Sequence, residues 1–155
     1  MIMNFKQDFT STITIADQPT DSDLGQLSRE GFKGVINLRN DGEPEQPLST
    51  SQEGEKATAL GMDYLHYGVG GPPLTEEGVN SVCDFIDDHT AEGGKVLVHC
   101  RKGSRAKALV YLQQARKNGW GSSDVRTRSA EIGLPIEGNL LLMVEDYLRR
   151  QEQKA

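Results

Sequence analysis

The sequence predicts an α/β fold, with a mainly parallel central sheet flanked by helices. Three observations point there. Short apolar runs of strand length alternate with amphipathic helical stretches along the chain, the order expected of successive βα units. One run, residues 95–99 (K-V-L-V-H), is almost continuously apolar, as a strand covered on both faces must be. The length of 155 residues suits a single domain, residues 1–155, around one core; its ordered part is expected to cover about residues 12–150.

The elements follow in order. Residues 12–16 (T-I-T-I-A) alternate like a short strand. Thr20, Asp21, Ser22 and Asp23 supply capping oxygens and first-turn acids to a helix carrying Leu24 and Leu27, with Gly31 as its left-handed end. Residues 32–38 read as a buried strand. Residues 39–51 form a polar loop rich in turn residues, long enough to suggest a functional role. A helix over residues 52–60 ends at Gly61, and residues 62–67 form a third strand. After the loop at residues 68–74, a helix from Thr75 to about Thr90 carries Val79, Val82, Cys83 and Ile86 at helical spacing. The strand at residues 95–99 runs through a glycine-containing turn into a helix bearing Ala106, Leu109, Val110 and Leu112. Ser122, Ser123 and Asp124 are expected to cap the next helix, and a last one spans about residues 138–150. In parallel sheets ligands bind beyond the carboxyl ends of the strands. The loops after Leu38, Tyr67 and His99 should therefore share one edge.

Composition narrows the function. The net charge is −6, from 17 basic and 23 acidic residues, which disfavours general binding to nucleic acid or an anionic membrane. No apolar stretch approaches the roughly 18–20 residues needed to span a bilayer. The first nine residues lack the apolar block of a signal peptide. Two cysteines without metal-type spacing read as reduced thiols, with no metal or cofactor. The expectation is a cytoplasmic domain, or an exported one whose leader has been removed.

The chemistry concentrates at His99-Cys100-Arg101-Lys102-Gly103-Ser104-Arg105. A buried strand ends at a cysteine, turns through a glycine and enters a helix, so successive backbone N–H groups converge on one spot beside the positive end of a helix. Four of the seven residues 101–107 are basic, in a chain that is acidic overall. Such surroundings lower a cysteine pKa from about 8.5 to roughly 3.5–7.5, and the thiolate is the nucleophile. A guanidinium five positions on can grip two oxygens of a transferring phosphoryl group.

With Gly34-Val35-Ile36-Asn37-Leu38-Arg39, Asp41-Gly42-Glu43 and Gly61-Met62-Asp63-Tyr64, this loop resembles the bacterial tyrosine-phosphatase-like family, found alone or fused to β-lactamase-like hydrolases. The resemblance spans about residues 13–115. It implies a dual-specificity-phosphatase-like fold and a phosphocysteine mechanism. Cys100 would be the nucleophile, backbone N–H groups of Arg101, Lys102, Gly103, Ser104 and Arg105 would bind phosphate, and Arg105 would stabilise the transition state. His99 would hold the loop and help keep Cys100 ionised. A phosphorylated protein or small molecule would be the substrate, and a phosphate or sulfate ion would fit the loop.

The sequence departs from the tyrosine-phosphatase pattern in three places. Four residues separate Cys100 from Arg105, where five are usual. Ala106 replaces the hydroxyl residue that normally follows the arginine, leaving Ser104 as a substitute. Residues 68–74 hold no aspartate to serve as general acid; Asp41, and after it Glu43 or Glu45, are the candidates able to reach the same edge. Without an acid, only substrates with good leaving groups, such as aryl phosphates, would turn over well. The four-residue spacing also matches rhodanese-like sulfurtransferases, in which Cys100 would carry a persulfide. A non-catalytic anion-binding or regulatory domain is the third reading. Cys83 reads as a core residue, or as a resolving thiol for oxidised Cys100. His66 and Trp120 read as structural. Asp63 is expected on the solvent side or bonded to a loop, and Asp84, Asp87 and Asp88 on a solvated face.

Overall fold

The computed structural model describes residues 3–154. Its five strands are β1 (Lys6–Asp8), β2 (Ile13–Ala16), β3 (Phe32–Asn37), β4 (Asp63–His66) and β5 (Lys95–His99). Its six helices are α1 (Asp21–Arg29), α2 (Thr50–Ala59), α3 (Glu76–Ala91), α4 (Ser104–Asn118), α5 (Val125–Ile132) and α6 (Gly138–Lys154). The sheet order is β1-β2-β5-β3-β4. All neighbours are parallel except β1, which runs antiparallel to β2.

The sheet divides the core in two. On one face α1 and α2 bury Leu24, Leu27 and Ala57 against Val35 and Leu97. On the other, α3, α4, α5 and α6 pack against Ile36, Val96 and Val98. Helix α4 lies at the centre of that layer and buries Ala106, Ala108, Leu109, Val110, Tyr111, Leu112, Gln113 and Ala115. A helix enclosed on most sides must be apolar nearly all round.

Local chemistry fixes where the helices start. Thr20 and Ser49 close reciprocal capping boxes with Asp23 and Gln52, and Thr75 accepts from Gly78 N–H. Asp124 departs from expectation. It precedes α5, but its carboxylate turns back to accept from Gly121 N–H at 2.7 Å and makes no bond to the helix it was expected to cap. The other unexpected element is β1. Asp63 lies on the solvent side as expected, its side chain 76 % exposed, and there pairs with His89 of α3 at 2.8 Å. Because β3, β4 and β5 are parallel, their carboxyl ends share one edge, and backbone bonds lace the loops there: Leu38 N–H to His99 O, Tyr67 N–H to Asn37 O and Val69 N–H to Leu38 O.

Candidate active site

Strand β5, buried from Val96 to His99, delivers Cys100 to the sheet edge, where it is 1 % exposed. Three residues later the chain reverses through Gly103 at φ 102° and enters α4. The glycine is required twice over: that φ strains any L side chain, and an added Cβ would lie 2.7 Å from the Phe5 ring. Gly103 N–H points at the sulfur, 3.1 Å from Cys100 Sγ. Unlike α1, α2 and α3, helix α4 has no side-chain cap. Its first-turn N–H groups and positive end are thus left for an anion.

Arg105, in the first turn of α4, spans the three loops. Its Nη1 donates to Glu43 Oε2 at 2.9 Å and to Val69 O at 3.0 Å, with a longer contact to Leu38 O, and its Nη2 donates to Glu43 Oε1 at 2.8 Å. Glu43 and nearby Cys100 both help hold the guanidinium protonated. Conversely, the Arg105 bonds, against an opposing desolvation and with help from Asn40 N–H and Arg39, depress the Glu43 carboxyl to about 2. The guanidinium has five N–H donors, and Glu43 engages the Nη1–Nη2 edge. Nε has no protein oxygen bound to it among the described residues, and the side chain also meets Cys100; a guanidinium held by one edge in this way can offer its other edge to a phosphoryl group in bidentate fashion.

The other residues singled out in the sequence lie as follows. Asp41 is taken up at the start of α2, where it accepts from Thr50 N–H at 2.8 Å and Thr50 Oγ1 at 3.1 Å. Glu45 pairs with Arg101, which draws its carboxyl below the ordinary range. Lys102 and Ser104 are exposed at the rim. His99 is wholly buried, and its Nε2 meets Glu53 Oε2 at 2.6 Å. His66 holds the carbonyl of Arg39.

A cavity of about 400 Å³ opens over the cysteine. Gly70, Gly71 and Pro72 form one wall, and Asn139, Leu140 and Met143 of α6 form the other. The residues lining it include no Asp, Glu or His. Cys83 faces a separate cavity with Leu112, Ala115 and Trp120, on the far half of α4; burial pushes its thiol up to about 11.

Gln18, Arg39 and Glu53 were not anticipated in the sequence. Arg39 and Glu53 are each 0 % exposed and Gln18 is 5 % exposed. Arg39 directly follows an apolar strand and Glu53 lies on a weakly amphipathic helix, so neither position signals burial before the loops close.

The profile of the family described as beta-lactamase hydrolase-like protein, phosphatase-like domain, matches residues 6–117. The chain belongs to this family. A beta-lactamase hydrolase-like protein of Agrobacterium fabrum is 41 % identical over 114 residues, covering 73 % of this chain and 26 % of that protein. The chain therefore spans about a quarter of the length of the curated relatives it matches. Among solved structures, Tk-PTP in its active form superposes with a TM-score of 0.74 at 20 % identity, covering 94 % of this chain and 97 % of that one. PTPMT1 in complex with PI(5)P gives 0.75 at 17 % identity, covering 98 % and 100 %. The chain thus has the expected dual-specificity-phosphatase-like fold, and family and fold support a phosphatase. No helix among the described residues is long and apolar enough to cross a membrane.

Proposed function

We propose that this domain hydrolyses phosphate monoesters through a phosphocysteine. Cys100 attacks phosphorus as the thiolate. The S–P bond forms, the P–O ester bond breaks, and the leaving oxygen departs with the electron pair. Water then attacks the phosphocysteine, restoring the thiolate and releasing phosphate and a proton. The loop N–H groups and Arg105 stabilise the peripheral oxygens as charge builds on them. The observation that carries this reading is the pairing of Cys100, its sulfur already accepting Gly103 N–H, with an Arg105 that Glu43 fixes through both terminal nitrogens and that also meets Cys100.

Proton donation shapes the substrate preference. Asp41 is engaged by Thr50, and Glu43, at about 2, carries no proton near neutrality. Neither serves as general acid, and the cavity lining offers no other carboxyl and no imidazole. Leaving groups must depart as stable anions, so aryl phosphates, phosphotyrosine among them, are turned over in preference to alkyl phosphates. The positive charge needed for the transition state comes from the loop, so this chemistry calls for no metal.

The decisive experiment compares wild type with Cys100→Ser on para-nitrophenyl phosphate and, side by side, on thiosulfate with cyanide. Wild type hydrolyses the ester and transfers no sulfur. The variant loses turnover and still binds inorganic phosphate. Sulfur transfer without hydrolysis would replace this reading with persulfide chemistry, and hydrolysis by Cys100→Ser at the wild-type rate would show that the nucleophile is another group.

A further inference from the structure

Taking the phosphatase reading as its basis, we infer that Gln18 is a positioning residue whose amide closes one buried hydrogen-bond chain from His99, which precedes the nucleophile, to Glu43, which holds Arg105. The links are continuous. His99 Nε2 meets Glu53 Oε2 at 2.6 Å. Gln18 Nε2 donates to Glu53 Oε1 at 2.9 Å. Arg39 Nη1 donates to Gln18 Oε1 at 2.8 Å. Arg39 Nε donates to Glu43 Oε1 at 3.1 Å, and the same oxygen takes Arg105 Nη2 at 2.8 Å. The chain leaves the catalytic loop at its first residue, passes through α2 and the segments after β2 and β3, and returns to the loop's arginine.

The chemistry of the links explains why an amide stands at position 18. One neighbour, Glu53, presents an acceptor; the other, Arg39, has only donors. A bridging group must donate on one side and accept on the other. Gln18 does both, and its second N–H goes to Pro19 O at 2.8 Å, so the amide can take only one orientation. A carboxylate there would face Glu53 and an ammonium would face Arg39. Arg39 in turn is fixed from three directions, by Gln18, by Glu43 and by the carbonyls of Pro44 and Glu45. In so dry a setting a broken link leaves buried polar groups unpaired, and the slack falls on His99 and Glu43. Misplacing a reacting group by about 1 Å costs rate on the order of a hundredfold.

The test uses Gln18→Leu and Gln18→Glu, with Gln113→Leu as control. Gln113 is a buried amide bonded to Asp87 at the far end of α4. The readouts are kcat and KM for para-nitrophenyl phosphate, affinity for inorganic phosphate, and the unfolding midpoint. Gln18→Leu is expected to lower kcat by about tenfold to a hundredfold and to weaken phosphate binding, whereas Gln113→Leu changes only the unfolding midpoint. Gln18→Glu keeps the shape. Facing Glu53, Arg39, Glu43 and His99, its carboxyl repels the neighbouring like charges once it ionises, so kcat is expected to start near wild type at low pH and to fall further than that of wild type as pH rises. Gln18→Leu folded with kcat, KM and phosphate affinity within about twofold of wild type would overturn the inference, as would equal losses in Gln113→Leu. If Gln18→Leu does not fold, the greater fall of Gln18→Glu with rising pH decides. A wild type that binds phosphate but never turns over an ester defeats the phosphatase reading alone, and the phosphate affinities still judge Gln18. A wild type that does neither defeats both.

Discussion

Glu43 and Arg105 meet side by side, each carboxylate oxygen taking one N–H from a terminal nitrogen of the guanidinium, at 2.8 and 2.9 Å. This relationship separates two roles that the loop at residues 39–51 could have had. Placed at the cavity edge and protonated, Glu43 would be an acid; paired and ionised, it orients the arginine. Glu43→Gln keeps the shape and loses the charge. The expected outcome is a kcat about tenfold lower, the loss typical of relaxing a positioned group, with the shape of the pH–rate profile above pH 4 unchanged. Loss of a basic limb from that profile in Glu43→Gln would restore the acid role.

The same pair makes acid stability predictable. The carboxyl of Glu43 falls from an ordinary 4.5 to about 2 on folding. A depressed carboxyl adds stability that is fully present above pH 4.5, shrinks as pH falls, and is gone below about 2. Wild type should therefore lose more of its unfolding midpoint between pH 4.5 and 2 than Glu43→Gln does. Parallel melting curves for the two would mean the pair contributes nothing.

Arg105→Lys tests whether the fork matters or only the charge. Lysine is a point charge and cannot serve Glu43 and a phosphoryl group along two edges at once. It also gives up the bond to Val69 O. The expected loss in kcat is on the order of a hundredfold to a thousandfold, with the fold retained, as circular dichroism and steady-state kinetics will report. A variant within threefold of wild type would reduce Arg105 to a general source of positive potential.

How far the sequence reveals this arrangement depends on what each residue touches. The β5–Cys100–α4 segment is legible because an apolar run, a glycine and an adjoining helix are local signals, and the parallel order brings three loops to one edge as expected. Strand β1 was not legible. Lys6, Gln7 and Asp8 are all exposed, so the edge strand has no apolar alternation and exists through its pairing with β2. Gln18, Arg39 and Glu53 are hidden for the opposite reason. They are polar residues whose burial is tolerated only because distant segments supply their partners, and no periodicity encodes a partner 35 positions away.

Gly103→Ala probes the loop itself. The left-handed φ of 102° and the 2.7 Å approach of Phe5 to an added Cβ both oppose the methyl group. Strain of this kind costs about 1–3 kcal/mol. Relief by turning the peptide would withdraw the N–H from Cys100 Sγ. The expected result is a lower unfolding midpoint together with weaker phosphate binding. Unchanged binding would indicate that the Gly103 N–H is dispensable to the anion site.

Oxidation distinguishes the two cysteines. Cys83 lies on α3 against the distal half of α4, with Leu112, Ala115 and Arg116, whereas Cys100 sits at the opposite, N-terminal end of that helix. The eight steps from Ser104 to Leu112 alone advance α4 by about 12 Å, whereas a disulfide needs Cα atoms within about 7 Å. Burial also raises the Cys83 thiol to about 11, which keeps it protonated and unreactive. Mild peroxide should therefore oxidise Cys100 to the sulfenic acid without trapping it as an intramolecular disulfide. Cys83→Ser should inactivate at the wild-type rate, with the products followed by intact-mass and peptide mass spectrometry. A Cys83–Cys100 disulfide in the treated protein would require α3 and α4 to separate, and would restore Cys83 as a resolving thiol.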